Sequence, residues 1–211
     1  MKVLVTGGTG YVGRAIVLAL AQASHMPVVF ARRASHSRLP GQLFDGDVRD
    51  RDALIRAADG VDAICHTAAL VSIWRARRSE FDEINIDGLR NALDVCRARR
   101  ITKLVYTSSF LARPPAGVTQ ALTANDYQRT KVVALEVARA AAREGLPVIS
   151  IVPGVIYGPG AATEGNLVGR LVHDHVQGRL PGIIGAMMAT EAVKQSDQDR
   201  AYGRAVIHLG R

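Results

Sequence analysis

The chain contains only two cysteines, Cys65 and Cys96, among 211 residues. Neither belongs to a Cys-x-x-Cys pair and no Cys/His cluster has zinc-site spacing, so free thiols in a reducing compartment are expected, with no structural metal. His173 and His175, in HDH, stand two apart and cannot share a helix face, so they read as a solvated segment rather than a metal site. Long apolar runs are missing as well. The N-terminal run carries one lysine and breaks at glycine after Val5, unlike a signal peptide. No stretch reaches the ~20 apolar residues that cross a bilayer, so a cytoplasmic protein with no membrane partner is expected. Aromatic residues make up only 5%, which disfavours an aromatic-rich sandwich, while 48% hydrophobic and 22% charged residues exclude a disordered chain. No block of five like charges occurs, and basic residues are not interleaved with aromatics. The sequence therefore lacks the footprint of a nucleic-acid binder.

What is present is basic charge, glycine and a regular alternation of elements. The formal charge is +8, and only four of the 27 basic residues are lysine. An arginine-rich genome and an anionic cofactor both account for this, and composition does not separate them. Residues 2–6, KVLVT, read as a strand and VGRAIVLALAQAS as a helix, its apolar face marked by Val12, Ile16, Val17 and Leu20. Strands follow at VVFA (28–31), GQLFDGD, VDAICHTAA with its loop, KLVYTSS and PVISIVP. Helices are predicted at RDALIRAAD, near 79–99, and over DYQRTKVVALEVARAAAREG, with Asn125 or Asp126 as N-cap and Gly145 as C-cap. Strands apolar throughout and separated by helices predict a doubly wound parallel sheet covered on both faces, an α/β Rossmann fold. Residues 1–160 form this dinucleotide-binding domain. Residues 161–211 form a reduced substrate-binding portion, with a helix over NLVGRLVHDHVQGRL, a turn at PGIIG and a final strand near 205–209.

Four glycines fall within residues 7–13, directly after the first strand. TGGTGYVG sets Gly7, Gly10 and Gly13 as G-x-x-G-x-x-G between strand and helix, the context in which the pattern has a mechanism. Gly7 makes the tight turn, Gly10 lets a diphosphate approach the main chain, and Gly13 lets helix and strand pack closely. The helix N-terminus adds unpaired N–H donors and about half a positive charge. An acidic residue commonly follows the second strand in such sites to bind the ribose hydroxyls. Here Arg32 and Arg33 stand in that place, and guanidinium suits a 2′-phosphate. NADP(H) is thus preferred over NAD(H), which remains possible.

Tyr127 and Lys131 are four apart on a predicted helix and share one face. A tyrosine of ordinary pKa, about 10, is a poor acid at neutral pH, and a nearby ammonium favours its phenolate. Ser109 ends the fifth strand beside Thr107 and Ser108 and is placed to hydrogen-bond a substrate oxygen.

Together these residues resemble the extended branch of the short-chain dehydrogenase/reductases over about residues 1–185. TGGTGYVG resembles that branch's cofactor loop, which adds Thr9, Tyr11 and Val12 to the cofactor contacts. GDVRD is similar to its adenine contact, implying that Asp47 reaches the adenine amino group and Val48 packs on the ring. HTAA is similar to the fourth-strand loop, implying that Thr67, Ala68 and Ala69 run along the cofactor. INIDG puts Asn85 where the family has the asparagine that holds a proton-relay water, and YTSS with YQRTK matches the catalytic serine, tyrosine and lysine. PGVIYGPG resembles the loop beside the nicotinamide, with Pro153, Val155 and Ile156 near the carboxamide. AALVSIW and the stretch 165–185 resemble dihydroflavonol-4-reductase-like members, implying reduction of a small-molecule carbonyl substrate; Val71, Ile73 and Trp74 either line its pocket or pack in the core. A homodimer through helices that include the Tyr127 helix is also implied. The extended branch is normally longer, and AMMATEAVKQSDQDRAY matches none of it, although GRAVIHLG resembles its late strand. Two other readings stay open: a sugar-nucleotide epimerase or dehydratase that retains NAD, and a dinucleotide-binding sensor or interaction protein with little catalysis.

Overall fold

The protein was analysed as a computed structural model that describes residues 1–72, 75–114, 117, 119–120, 123–158 and 167–179. Ile73 and Trp74, the turn at 181–185 and the strand expected near 205–209 lie outside the described residues. In chain order the elements are β1 (Lys2–Thr6), α1 (Tyr11–Gln22), β2 (Met26–Ala31), β3 (Gln42–Asp45), α2 (Arg51–Ala57) and β4 (Ala63–His66). They continue with α3 (Ser79–Asp82), α4 (Gly88–Arg99), β5 (Leu104–Thr107), α5 (Asp126–Arg143), β6 (Val148–Ile151) and α6 (Leu167–Val176). No helix of the described residues is long and apolar enough to cross a membrane.

All six strands are parallel, in the order β3-β2-β1-β4-β5-β6. Parallel strands need crossovers, and the crossover helices bury both faces of the sheet, which is why the strands are apolar throughout. On one face Leu4, Val28, Ile64 and Leu104 pack with residues of α2, α4 and α5, including Leu54, Leu93 and Ala138. On the other, Val3, Val5 and Val29 pack with Val17 of α1. The order reverses between β1 and β4, so their C-terminal ends diverge into the crevice where open α/β sheets bind ligands.

The helix expected over 79–99 is helical throughout but changes its hydrogen-bonding pattern midway. Glu83–Asp87 form a π-helical turn between α3 and α4. Such turns are costly and need local compensation. Here the compensation is Asn85, which the turn carries to a buried position where its amide bonds Leu70 and Thr130. Helix α5 is bounded as its sequence implies: the Asn125 carboxamide accepts from the Gln128 N–H at 2.8 Å. At its far end Gly145 and Leu146 donate to Ala142 and Ala141, a Schellman closure.

His66 ends β4 opposite Thr6 of β1 and Tyr106 of β5. Its Nδ1 lies 2.9 Å from the Thr6 hydroxyl, and the ring is wholly buried. Burial, aided by the Lys131 ammonium, pushes its pKa from 6.5 down to about 3. The unfolded chain therefore takes up a proton near pH 6.5 that the folded chain refuses until about pH 3. The stability this group contributes is complete above pH 6.5 and is lost as pH falls through that window. Urea titrations of His66→Asn, which keeps a partner for Thr6, are expected to lose about 2 kcal/mol less than the wild type between pH 7 and 5. Equal losses would mean that His66 titrates in the folded protein as it does in the unfolded one.

Candidate active site

Because the strands are parallel, every loop singled out in the sequence emerges at the same edge of the sheet. The first is the glycine turn after β1. Gly7 adopts φ +68°, and its N–H donates to Phe30 O at 2.8 Å. A side chain at Gly7 would strike the Ala68 main chain, 2.8 Å away, and one at Gly13 would strike the Gly7 carbonyl. The end of β4 is held in place by Thr67, whose N–H and hydroxyl both donate to Thr6 O, at 3.2 and 2.7 Å. Gly10, exposed with Thr9, is the N-cap of α1 and gives it no side-chain cap, and the first turn has no acidic residue. Among the described residues the N–H groups of Tyr11, Val12 and Gly13 have no acceptor, the first satisfied one being Arg14 on Gly10 O. This end of α1 is built to receive an anion rather than a side chain.

Arg32 and Arg33 follow β2 on the same edge, both exposed, and among the described residues neither side chain makes a hydrogen bond or salt bridge, although the Arg33 carbonyl accepts from the His36 N–H at 3.3 Å. Asp47, after β3, is paired fork to fork with Arg49 at 3.0 and 2.7 Å. Those bonds hold its carboxyl below the usual range, and the charge of Arg32 adds to the effect. Val48, beside Asp47, is buried, its side chain against Gly88 of α4 and its carbonyl accepting from the Asn91 side chain at 2.9 Å.

Ser109, Tyr127 and Lys131 come together where β5 and α5 meet. The Ser109 hydroxyl is buried beside the Tyr127 phenol and counteracts part of the rise that burial imposes on the phenol's pKa. The expected ammonium effect on Tyr127 is absent in the unliganded chain: desolvation prevails and the phenol is pushed up, not down. Lys131 Nζ lies 5.9 Å from the Tyr127 ring centroid and donates to Thr107 O at 3.1 Å. Burial alone lowers its pKa to about 8. Asn85 stands behind this group. Its Oδ1 accepts from Leu70 N at 2.7 Å and its Nδ2 donates to Thr130 Oγ1 at 2.9 Å, so the side chain ties the loop after β4 to α5. Pro153 O accepts from Phe110 N at 2.9 Å, which joins the loop after β6 to the loop after β5. Val155 is exposed and Ile156 half-buried on that loop.

Sequence reasoning missed the supporting residues. Thr130 and Gln128 both lie inside YQRTK, and Gln128 spans from Ala124 N to Leu111 O, tethering two loop segments to the Tyr127 turn. The signal available was their position, three and one residues from Tyr127, on the side of α5 that a parallel sheet must bury. Thr6 and Tyr106 stand first in TGGTGYVG and YTSS, but nothing in either stretch singled them out.

The comparisons with known proteins agree with this geometry. The pattern of the NAD dependent epimerase/dehydratase family matches residues 3–201. The chain is 34% identical over 197 residues to sterol demethylase protein B of Methylococcus capsulatus, covering 87% of this chain and 60% of that protein. It is 34% identical over 195 residues to a 2-alkyl-3-oxoalkanoate reductase of Stenotrophomonas maltophilia, covering 85% of this chain and 57% of that one. Among solved structures, the UDP-glucose 4-epimerase of Thermus thermophilus in complex with NAD superposes with a TM-score of 0.72 at 26% identity, over 84% of this chain and 63% of that one. The chain thus spans about 60% of the length of the first of these relatives. Matched along nearly its whole sequence, and folded with the crevice and the serine, tyrosine and lysine that the sequence resemblance implied, the chain belongs to the NAD dependent epimerase/dehydratase family of extended short-chain dehydrogenase/reductases.

Proposed function

We propose that the protein is an NADP(H)-dependent oxidoreductase that reduces a ketone or aldehyde of a small organic molecule, in the manner of dihydroflavonol-4-reductase-like enzymes. The observation that carries this is the convergence of Ser109, Tyr127 and Lys131 at the sheet edge that also bears the uncapped N-terminus of α1. Likeness to the oxoalkanoate reductase supports a ketone substrate. The residues present fit a dinucleotide. The glycine turn would receive the diphosphate on main-chain N–H groups, Arg32 and Arg33 would hold the 2′-phosphate, and Asp47 and Val48 would meet the adenine. Thr67 to Ala69, Thr107 and the loop of Pro153, Val155 and Ile156 border the rest. When bound, the nicotinamide supplies the hydride.

The chain's own residues handle the proton. Ser109 donates a hydrogen bond to the carbonyl oxygen and polarises it. Tyr127 gives its phenolic proton to that oxygen as the carbon is reduced, leaving a phenolate. Lys131 stabilises the phenolate and holds the nicotinamide ribose. The raised pKa keeps Tyr127 protonated in the unliganded chain, as its role as acid requires, and Lys131 together with a bound oxidised nicotinamide would stabilise the phenolate it leaves. Residues 1–160 bind the cofactor and the remainder contributes a reduced substrate-binding portion. A homodimer through helices that include α5, and a cytoplasmic setting, complete the proposal.

A second reading, an epimerase or dehydratase that retains NAD, is favoured by the likeness to the NAD-bound Thermus epimerase. Steady NADPH consumption with a panel of ketones separates the two readings, because the epimerase regenerates its cofactor within each turnover. In that assay Tyr127→Phe is expected to lower turnover by about 10²- to 10⁴-fold while NADPH affinity, read by fluorescence titration, is unchanged. Retained turnover would remove Tyr127 as the acid. Replacing Arg32 and Arg33 together by alanine is expected to weaken NADPH about 10- to 100-fold and to leave NADH unaffected. Tighter binding of NADH than NADPH by the wild type would overturn the cofactor assignment.

A further inference from the structure

Lys131 is a lysine with too few partners. Its side chain is buried to 4% exposure, yet its ammonium has three protons and one hydrogen-bond acceptor, Thr107 O. A buried ammonium is ordinarily paired with a carboxylate. None contributes to its ionisation, which burial alone depresses. Asp82, Glu83 and Asp126, the nearest acidic groups on α3, the π-helical turn and α5, are turned to Arg129, Arg49, Arg77 and Arg78. The titratable groups that do face Lys131 are His66 from β4, Tyr127 on its own helix and Tyr106 from β5. His66 is neutral.

Tyr106 is the unusual member. Lys131 Nζ stands over its ring, 5.5 Å from the centroid, closer than it stands to the Tyr127 ring. The Tyr106 hydroxyl is buried beside the Ser108 hydroxyl, which moderates the rise that burial imposes on the phenol's pKa, and the face of the ring has a cation over it. We propose that Tyr106 is a positioning residue, whose ring face holds the Lys131 ammonium in place and in its charged form. Aromatic faces attract ammonium ions most strongly where water is excluded, as it is here. That Lys131 then serves turnover rests on the function proposed above; the contact between Tyr106 and Lys131 does not.

The proposal requires the ring and dispenses with the hydroxyl. The test is the titration of the lysine side chains by NMR in the unliganded full-length chain, which needs neither substrate nor cofactor. The chain has four lysines, Lys2, Lys103, Lys131 and Lys194, and Lys131→Arg assigns the signal of interest. Tyr106→Phe is expected to leave the Lys131 titration where it is in the wild type. Incorporating trifluorophenylalanine at position 106 keeps the shape but withdraws charge from the ring face, and is expected to lower the Lys131 midpoint. Tyr106→Leu is expected to lower it by about one pH unit, a tenfold loss of ammonium at a given pH above the midpoint. If fluorination of a folded protein leaves the midpoint unmoved, the ring is packing only and the proposal fails, whatever the Leu variant does. If Tyr106→Phe alone shifts it as far as Tyr106→Leu, the hydroxyl is the active group and the proposal fails as well.

Discussion

Two main chains pass each other at the centre of the sheet with no side chain between them. Where β1 turns at Gly7, a Cβ atom would stand 2.8 Å from the Ala68 main chain at the end of β4. This crossing lies at the reversal of strand order, and it sets how close α1 comes to the sheet and where its N-terminus points. Thr67 fastens one side of it with two bonds to Thr6 O, and Gly13 allows α1 to fold back over Gly7 on the other. The unpaired N–H groups of α1 stand beside this crossing, at the edge of the sheet where the proposed diphosphate site lies.

The catalytic side of the crevice depends on the same edge but is secured differently. Helix α5 is tied to its surroundings by polar struts rather than by close main-chain passage: Asn125 at its cap, Gln128 to two loop segments, Thr130 to Asn85. Each strut uses a buried polar group whose partner is supplied by the fold, so none carries the penalty of an orphaned donor. The reactive groups are treated in the opposite way. Burial raises the Tyr127 phenol and lowers the Lys131 pKa to about 8, so the unliganded chain holds the phenol protonated and the lysine an ammonium with a weakened hold on its proton.

Much of this was legible in the sequence, for reasons that can be named. Period and composition are local properties, so β1, the glycine turn and α5 with its Asn125 cap read directly, and the parallel sheet followed from strands apolar on both faces. The π-helical turn at Glu83–Asp87 did not read, because what stabilises it is Asn85 reaching Leu70 and Thr130, fifteen and 45 residues away. The burial of Val48 did not read either, because it depends on Gly88, a residue of another element. Spacing shows that Lys131 is near Tyr127, but only the packed structure shows that burial raises the phenol of the unliganded chain. Tyr106 was invisible as anything but a strand residue.

The account depends on a diphosphate reaching the main chain at the start of α1, and Gly10 separates that requirement from the needs of the fold. Gly10 has extended φ and ψ, and a Cβ there would meet only the Gly7 carbonyl, at 3.1 Å. Titrating NADPH and NADH into Gly10→Ala, with thermal unfolding measured alongside, is the most direct measurement. The account predicts an unchanged midpoint and an affinity lower by about tenfold or more for both dinucleotides. A variant that unfolds like the wild type and binds them equally well would contradict it.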